Sequence, residues 1–267
     1  MSGYIFDNAV EQLAAQRFGS LEVLYDPRTM RFLLATGVGP GWHCLEIGGG
    51  SGSIAAWLAD RVGDTGHVLV TDLDPRFLAT LAAAGRANVE VRRHDIGIDP
   101  LPAAAFDLIH ARLVLLHVPT APEALARLVA ALRPGGWLVI EDFDPIFTDR
   151  AFPTADPADA ALVRAAYGAM GQLIEARGAG PEWGRSLYQR LLALGLAEVG
   201  MEAHLVVRQG GSVGAHMDRT NLAQIRQEAV ATGLIASEDL DRMLARFEDP
   251  TFACASSTMF TAWGRRP

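Results

Sequence analysis

Four glycines follow an acidic residue in the stretch "CLEIGGGSGSIAAWLAD", which spans residues 44–60. An apolar run of strand length ends just before them, and helical spacing follows. A backbone without side chains can touch a ligand closely, and the start of a helix offers N–H groups that no helical carbonyl uses. The pattern therefore predicts a loop that binds an adenosine cofactor, with Glu46 beside it, without saying which cofactor. The glycines are Gly48, Gly49, Gly50 and Gly52.

Further polar residues come at the ends of the predicted strands that follow this loop. Asp72 ends the second strand and is followed by Leu73. Asp95 and Ile96 come after the third strand, and His110 ends the fourth. The carboxyl ends of parallel strands meet at one edge of a sheet, where the ligands of such sheets bind. We therefore expect these side chains to surround one ligand.

His110 and His117 are the candidates for catalysis, because histidine exchanges a proton readily near neutral pH. His110 either contacts the substrate or packs beside the cofactor, and His117 in "LVLLHVP" either acts as a base or fills the core. Seven residues of helix span about 10 Å, so the two imidazoles are not expected to share one metal ion. Asp142 and Asp144 form only a weak magnesium pattern, and we expect no metal site.

Strand-like and helix-like segments alternate along the chain after a predicted pair of N-terminal helices. The pair is expected around 7–18 and 27–36, with Asp26 and Pro27 as N-cap and first residue of the second helix. Such alternation predicts an α/β fold in which helices cover both faces of a doubly wound, mostly parallel sheet. The predicted strands are 42–47, 67–72, 88–95, 106–111 and 137–142.

The composition excludes several classes of partner and chemistry. The 267-residue chain has a formal charge of −8, which argues against DNA or RNA as a partner. It contains no lysine, which excludes a P-loop and Schiff-base chemistry. Its two cysteines suit a cytoplasmic location, and neither a leader nor a membrane span is expected. The expected partner is a small molecule, and a homodimer stays open.

The order and spacing of these stretches, with "LRPGGWLVIEDFD" at 132–144, resemble class I S-adenosylmethionine (SAM)-dependent methyltransferases. The likeness covers roughly residues 42–142 and is greatest for the small-molecule branch that includes ubiquinone- and menaquinone-biosynthesis-type enzymes. It implies SAM as cofactor and methyl transfer to a small apolar or aromatic metabolite. It also implies a Rossmann-like sheet of seven strands, the last one antiparallel, with "AEVGMEAHLVVR" and "SSTMFTAWGR" as strands six and seven.

The resemblance also implies a role for each candidate residue. Glu46 and the glycine loop would meet the methionine half of SAM. Asp72 would accept hydrogen bonds from both ribose hydroxyls, and His110 would lie near the methyl group. The residues expected at the adenine are Leu73, Asp95 and Ile96.

We expect one methyltransferase domain over 1–267, built around a SAM-binding core at 42–144. An N-terminal helical segment (1–40) precedes this core, and helical inserts follow at 145–196 and 214–248. The inserts begin at strand ends, so we predict that they form a lid over the methyl group and close an apolar acceptor pocket. Their candidate lining residues are Phe147, Phe152, Tyr167, Met170, Trp183, Tyr188 and Met217.

Three other functions fit parts of the sequence. A nicotinamide oxidoreductase would use the same loop, since "GSGSIA" matches G-x-G-x-x-A. The short-chain reductases, however, need a Tyr-x-x-x-Lys pair, and this chain has no lysine. "GGSVG" suggests a serine hydrolase, yet no acid separates Ser212 from His216, the only later histidine. A protein of the methyltransferase fold that binds SAM without transferring methyl, as a binding module or cyclisation catalyst, stays open.

Overall fold

A seven-stranded sheet organises the computed structural model, which describes residues 11–144, 156–178, 180 and 182–267. The strands are β1 (His43–Ile47), β2 (His67–Asp72), β3 (Val89–Arg93), β4 (Phe106–Arg112), β5 (Leu132–Asp144), β6 (Ala197–His204), β7 (Val207–Gln209), β8 (Ala253–Ala255) and β9 (Thr258–Arg265). The α-helices are α1 (Glu11–Ala35), α2 (Ser53–Val62), α3 (Ala79–Ala83), α4 (Ala121–Ala131), α5 (Pro157–Ala176), α6 (Trp183–Ala193), α7 (Val213–Ala231) and α8 (Ser237–Arg246). Short 3₁₀ helices span Pro75–Leu78 and Leu115–His117.

The strand order is β3-β2-β1-β4-β5-β9-β6. Strands β1 to β5 are parallel, and β9 pairs antiparallel with both β5 and β6. The order therefore confirms the predicted doubly wound sheet with an antiparallel last strand. One boundary differs: the main-sheet strand ends at His204, and β7 forms a separate two-stranded sheet with β8.

Two apolar cores lie on opposite faces of the sheet, because side chains alternate along each strand. Leu45 and Ile109 pack on the face that α4, α5 and α6 cover, whereas Cys44 and Leu108 pack on the face of α1 and α2. The alternation places Glu46, two residues after Cys44, on the same face as Cys44. Its register partner in β4 is His110, so the two polar side chains meet beside α1.

The prediction of two N-terminal helices is wrong for the described residues, because α1 is one helix that runs through Pro27. A proline inside a helix removes one hydrogen bond and costs about 3 kcal/mol. Tertiary contacts oppose this cost: Asp26 forms an ion pair with Arg112, and Thr29 hydrogen-bonds to Glu141. The sheet therefore holds both sides of the proline in helical geometry.

The segments predicted as lid divide into two groups. Helix α6 packs on β5, β6 and β9, so it belongs to the layer that covers the sheet and not to a lid. Helices α5, α7 and α8 pack on one another, and α7 also packs on α1. Phe147 and Phe152 lie outside the described residues.

Ser212 caps a helix in the structure. Its side chain accepts a hydrogen bond from the backbone N–H of Ala215 at 3.2 Å at the start of α7. His216 lies on the surface and pairs with Glu248. This arrangement matches the expectation that "GGSVG" is not a nucleophile motif.

Replacing Gly184 by alanine should destabilise the protein by about 1–3 kcal/mol, since overpacked sites carry costs of that size. The added methyl group would lie 2.7 Å from the carbonyl oxygen of Asp142, because α6 packs directly on β5. The matched change Gly168→Ala on α5 meets no atom within 4 Å. It should stabilise by up to about 1 kcal/mol through helix propensity. Denaturant unfolding measures both, and equal effects would contradict the packing of α6 on β5.

Candidate functional site

A cleft of about 630 Å³ opens at the carboxyl ends of the parallel strands. It lies where the strand order reverses, with β1 between β2 and β4, which is the usual ligand position in such sheets. Of the predicted site residues, all but Gly52 and His110 line it. These lining residues are Glu46, Gly48, Gly49, Gly50, Asp72, Leu73, Asp95, Ile96 and His117.

The glycines are required first by the protein's own packing. A Cβ on Gly48 would lie 2.3 Å from Val114, and one on Gly49 would lie 2.4 Å from Val70. Gly50 and Gly52 have φ angles of 54° and 92°, a left-handed region that favours glycine. The loop therefore presents bare backbone to the cleft, because Val114 and Val70 leave no room for a Cβ at Gly48 and Gly49 and the left-handed turn favours glycine at Gly50 and Gly52.

Asp72 holds the glycine loop in place. Its carboxylate accepts hydrogen bonds from the backbone N–H groups of Gly50 at 3.1 Å and Asp74 at 2.9 Å. Burial raises the pKa of Asp72, although these backbone hydrogen bonds oppose the shift. Asp95 accepts a similar hydrogen bond from the N–H of Gly97 at 2.9 Å. Both carboxylates thus keep fixed positions at the edge of the cleft.

His110 lies between two carboxylates beneath the cleft. Its Nδ1 is 2.7 Å from an oxygen of Glu46, and its Nε2 is 3.3 Å from an oxygen of Glu141. Glu141 also accepts hydrogen bonds from Thr29 and, at 2.8 Å, from Thr261. Arg112 extends the network by donating to Thr29 at 2.9 Å.

The network keeps His110 protonated. Burial alone would lower the pKa of His110, but the neighbouring Glu46 and Glu141 carboxylates outweigh it and raise that pKa to about 9. Burial raises the pKa of Glu46 despite the attraction of His110. For Glu141, burial is again the largest influence, but hydrogen bonding and the charge of His110 lower its pKa overall. The group is therefore an imidazolium held by two carboxyl groups.

The prediction that His110 is catalytic conflicts with this geometry. Its side chain is 0% exposed and does not line the cleft, so it offers no surface to a substrate. Glu46 lines the cleft and is its direct partner. Glu46 therefore lies between His110 and the cleft.

His117 lies where the cleft meets a second, inner cavity of about 40 Å³. Burial, followed by the positive charges of Arg17 and Arg177, lowers the pKa of His117 to about 3. The imidazole is therefore neutral near pH 7. The inner cavity is lined by Arg17, Leu21, Tyr25, Leu113, Leu116, His117, Phe143, Met170, Ile174, Arg208, Met217, Asp218, Asn221 and Ser257.

Several residues of the site were not predicted. His94 is buried at the cleft, and neither ring nitrogen has a hydrogen-bond partner among the described residues. Leu113 lines both cavities with a φ of 58°, which is strained for a leucine. A sequence signal existed for Glu141, because it is a carboxylate inside an apolar strand. No signal existed for Arg17, because in the sequence it resembles any charged residue on a helix surface.

Nothing in the described part of the chain forms a cluster of three or more histidine, cysteine or acidic side chains able to hold a metal ion. Asp144 pairs instead with Arg185 at 3.2 Å. Burial raises the pKa of Asp142 well above its ordinary value. Across the same residues, no helix has the length and apolar character needed to cross a bilayer.

Comparisons with known proteins show what the part of the chain that carries this cleft is similar to. A family model described as a methyltransferase domain matches residues 45–138. Methyltransferase str2 of Strobilurus tenacellus is 36% identical over 146 residues, which are 54% of this chain and 49% of that protein. The ubiquinone/menaquinone biosynthesis C-methyltransferase UbiE of Laribacter hongkongensis is 33% identical over 125 residues, 44% of this chain and 50% of that protein. The chain thus spans about half the length of these curated relatives.

A solved structure extends the likeness to nearly the whole chain. It is phosphoethanolamine N-methyltransferase 2 of Haemonchus contortus, in complex with phosphomonomethylethanolamine and S-adenosylhomocysteine. It superposes with a TM-score of 0.61 at 14% identity, over 99% of this chain and 60% of that one. This likeness shows the fold alone. Together with the family model, it confirms the resemblance to class I methyltransferases.

The charge on His110 makes stability depend on pH. A folded pKa of about 9, above the ordinary 6.5, gives stability that is complete below about pH 6.5 and is lost as pH rises through about 9. The free energy of unfolding should therefore fall by on the order of 3 kcal/mol across this window. His110→Gln should lack this decline in denaturant unfolding. The exposed His216→Gln variant is the control and should keep it, and an unchanged decline in His110→Gln would place the proton elsewhere.

Proposed function

We propose that the protein transfers a methyl group from SAM to a small molecule, since residues 45–138 match a family model described as a methyltransferase domain. The observation that carries this proposal is the cleft at the strand-order reversal, which gathers Glu46, the glycine loop, Asp72 and Asp95. These are the positions at which the family resemblance predicts the cofactor. The finer assignments below rest on the same geometry.

The cleft has properties that suit SAM. Its volume of about 630 Å³ is in the range of small-molecule sites. Its edge carries the carboxylate of Asp72, an acceptor suited to the two ribose hydroxyls, and Asp95 beside the apolar Ile96 suits an adenine. The buried nitrogens of His94 supply further hydrogen-bonding capacity. SAM, when bound, supplies an activated methyl group on a sulfonium ion.

The two histidines have separate roles in this proposal. His110 is a positioning residue: as an imidazolium it fixes the carboxyl group of Glu46, which faces the cleft. His117 is the candidate catalytic residue, because it lines both cavities and is neutral near pH 7. A neutral imidazole can accept a hydrogen bond or a proton from an acceptor hydroxyl, and general-base catalysis is worth about 10²–10⁴-fold.

Helices α1, α5 and α7 supply the walls of the inner cavity. Leu21 and Tyr25 come from α1, Met170 comes from α5, and Met217 comes from α7. These elements are the described part of the proposed lid, which would exclude water from the methyl group. Of the predicted lining residues, Met170 and Met217 lie here, whereas Trp183 starts the sheet-covering helix α6.

The proposed activity predicts two measurements. Calorimetry should detect S-adenosylhomocysteine binding and no binding of NAD or NADP. With SAM and a panel of phenolic, aromatic and polyketide-like acceptors, S-adenosylhomocysteine should be released only when an acceptor is present. Binding without release across the panel would favour a SAM-binding module or cyclisation catalyst. Nicotinamide binding without SAM binding would reject the proposal.

Asp72→Ala should weaken S-adenosylhomocysteine binding at least about tenfold, because charged hydrogen bonds contribute about 1.5–3 kcal/mol each. Asp72 also holds the Gly50 N–H, so loss of affinity alone does not separate ribose contact from loop support. The 2′-deoxy analogue of the ligand separates them: wild type should prefer the hydroxylated form, and Asp72→Ala should not. Asp60→Ala, at an exposed ion pair with Arg86, is the control. A preference that survives in Asp72→Ala would place the ribose elsewhere.

A further inference from the structure

Four side chains form the boundary between the cleft and the inner cavity, since the same four line both spaces. Arg17 and Leu21 come from α1, and Leu113 and His117 come from the segment that follows β4. A group that extends from the cleft into the inner cavity therefore has to pass these side chains. Leu113 differs from the other three in its backbone, which has a φ of 58°.

The left-handed backbone of Leu113 is fixed by its neighbours on both sides. Its N–H donates to the carbonyl oxygen of Glu141 at 2.7 Å, which ties it to β5. The next residue, Val114, lies against the glycine loop, where a Cβ on Gly48 would lie 2.3 Å from its side chain. A leucine rarely adopts this conformation, and it persists only where the surrounding structure imposes it. The chain after β4 is thus held in a strained turn at the boundary of the two spaces.

The side chain of Leu113 offsets the strain that its backbone carries. It packs against a small apolar cluster of Tyr25, Met217 and Met259, which come from α1, α7 and β9. A glycine at this position would adopt the left-handed conformation without strain but would leave this contact unmade. The leucine therefore narrows the boundary between the two spaces in exchange for a strained backbone.

We propose that Leu113 determines acceptor size: its side chain limits the substituent that an acceptor can extend from the cleft into the inner cavity. This inference rests on the proposed function, since it concerns the acceptor of the same site. Beyond Leu113, such a substituent meets a mainly apolar wall that includes Leu116, Phe143 and Met170. The substituent is therefore a short alkyl or alkenyl group on an acceptor whose reacting end stays in the cleft.

The volume of the inner cavity sets the expected limit. A cavity needs roughly 10–15 Å³ for each water-sized group, so about 40 Å³ holds roughly three. A propyl chain matches this space, whereas longer chains and whole aromatic rings exceed it. Replacing Leu113 with alanine would join the inner cavity to the cleft and remove the limit.

The test measures the binding of 4-alkylphenols, from 4-methylphenol to 4-pentylphenol, to the full chain saturated with S-adenosylhomocysteine. Each CH₂ group that becomes buried adds up to about fourfold in affinity. In calorimetry, the affinity of the wild type should rise as far as 4-propylphenol and no further. The affinity of Leu113→Ala should keep rising, so that this variant binds 4-pentylphenol at least about tenfold more tightly than the wild type does, and 4-methylphenol no more tightly.

A second variant separates the side chain from the backbone strain. Leu113→Gly opens the same boundary and relieves the left-handed strain, so it should unfold at a higher temperature than Leu113→Ala and show the same shift in chain length. Leu192→Ala makes the same truncation on an exposed part of α6, outside both spaces, and should keep the wild-type limit. An equal shift in Leu192→Ala would contradict the assignment to Leu113.

Binding of S-adenosylhomocysteine to the wild type is measured first, which separates the two possible failures. Its absence would reject the proposed function, and the role of Leu113 with it. If S-adenosylhomocysteine binds, the role of Leu113 alone is rejected in either of two cases. In one, affinity depends on chain length in the same way in the wild type and both Leu113 variants; in the other, none of the three proteins binds any of the phenols.

Discussion

The imidazolium of His110, held between Glu46 and Glu141, is the interaction on which the site depends. It joins β1, β4 and β5 below the cleft, and Glu141 continues the network to Thr29 of α1. Removing one member of a buried ionic group costs about 3–5 kcal/mol, because the remaining charge is left uncompensated. The edge of the sheet that carries the cleft is therefore fixed by electrostatics as well as by apolar packing.

The same network determines where α1 lies, and α1 in turn supplies a wall of both cavities. Asp26 and Thr29 attach the helix to the sheet through Arg112 and Glu141, on both sides of a proline that would otherwise interrupt it. Earlier along the same helix, Tyr25 and Arg17 line the inner cavity. The inner cavity thus depends on a contact made beneath the cleft.

The core of the fold and the cleft could be predicted from the sequence because their signals are local. The glycines that join a strand to a helix, and the acidic residues that end strands, such as Asp72, lie at the carboxyl edge of the sheet. This placement follows from the parallel strands alone and does not require knowledge of the rest of the chain. The continuity of α1 could not be predicted, since tertiary contacts overrode the local preference of Pro27. The burial of His110 and the pairing of Arg208 with Tyr25 join residues far apart in sequence, and no local pattern reports such contacts.

The two histidines of the site differ in protonation state near pH 7, because their surroundings shift their pKa values in opposite directions. Acidic neighbours hold His110 protonated, whereas burial and the arginines around His117 keep it neutral. An imidazole with a pKa of about 3 is a weak base, and general-base catalysis improves as the pKa approaches the working pH.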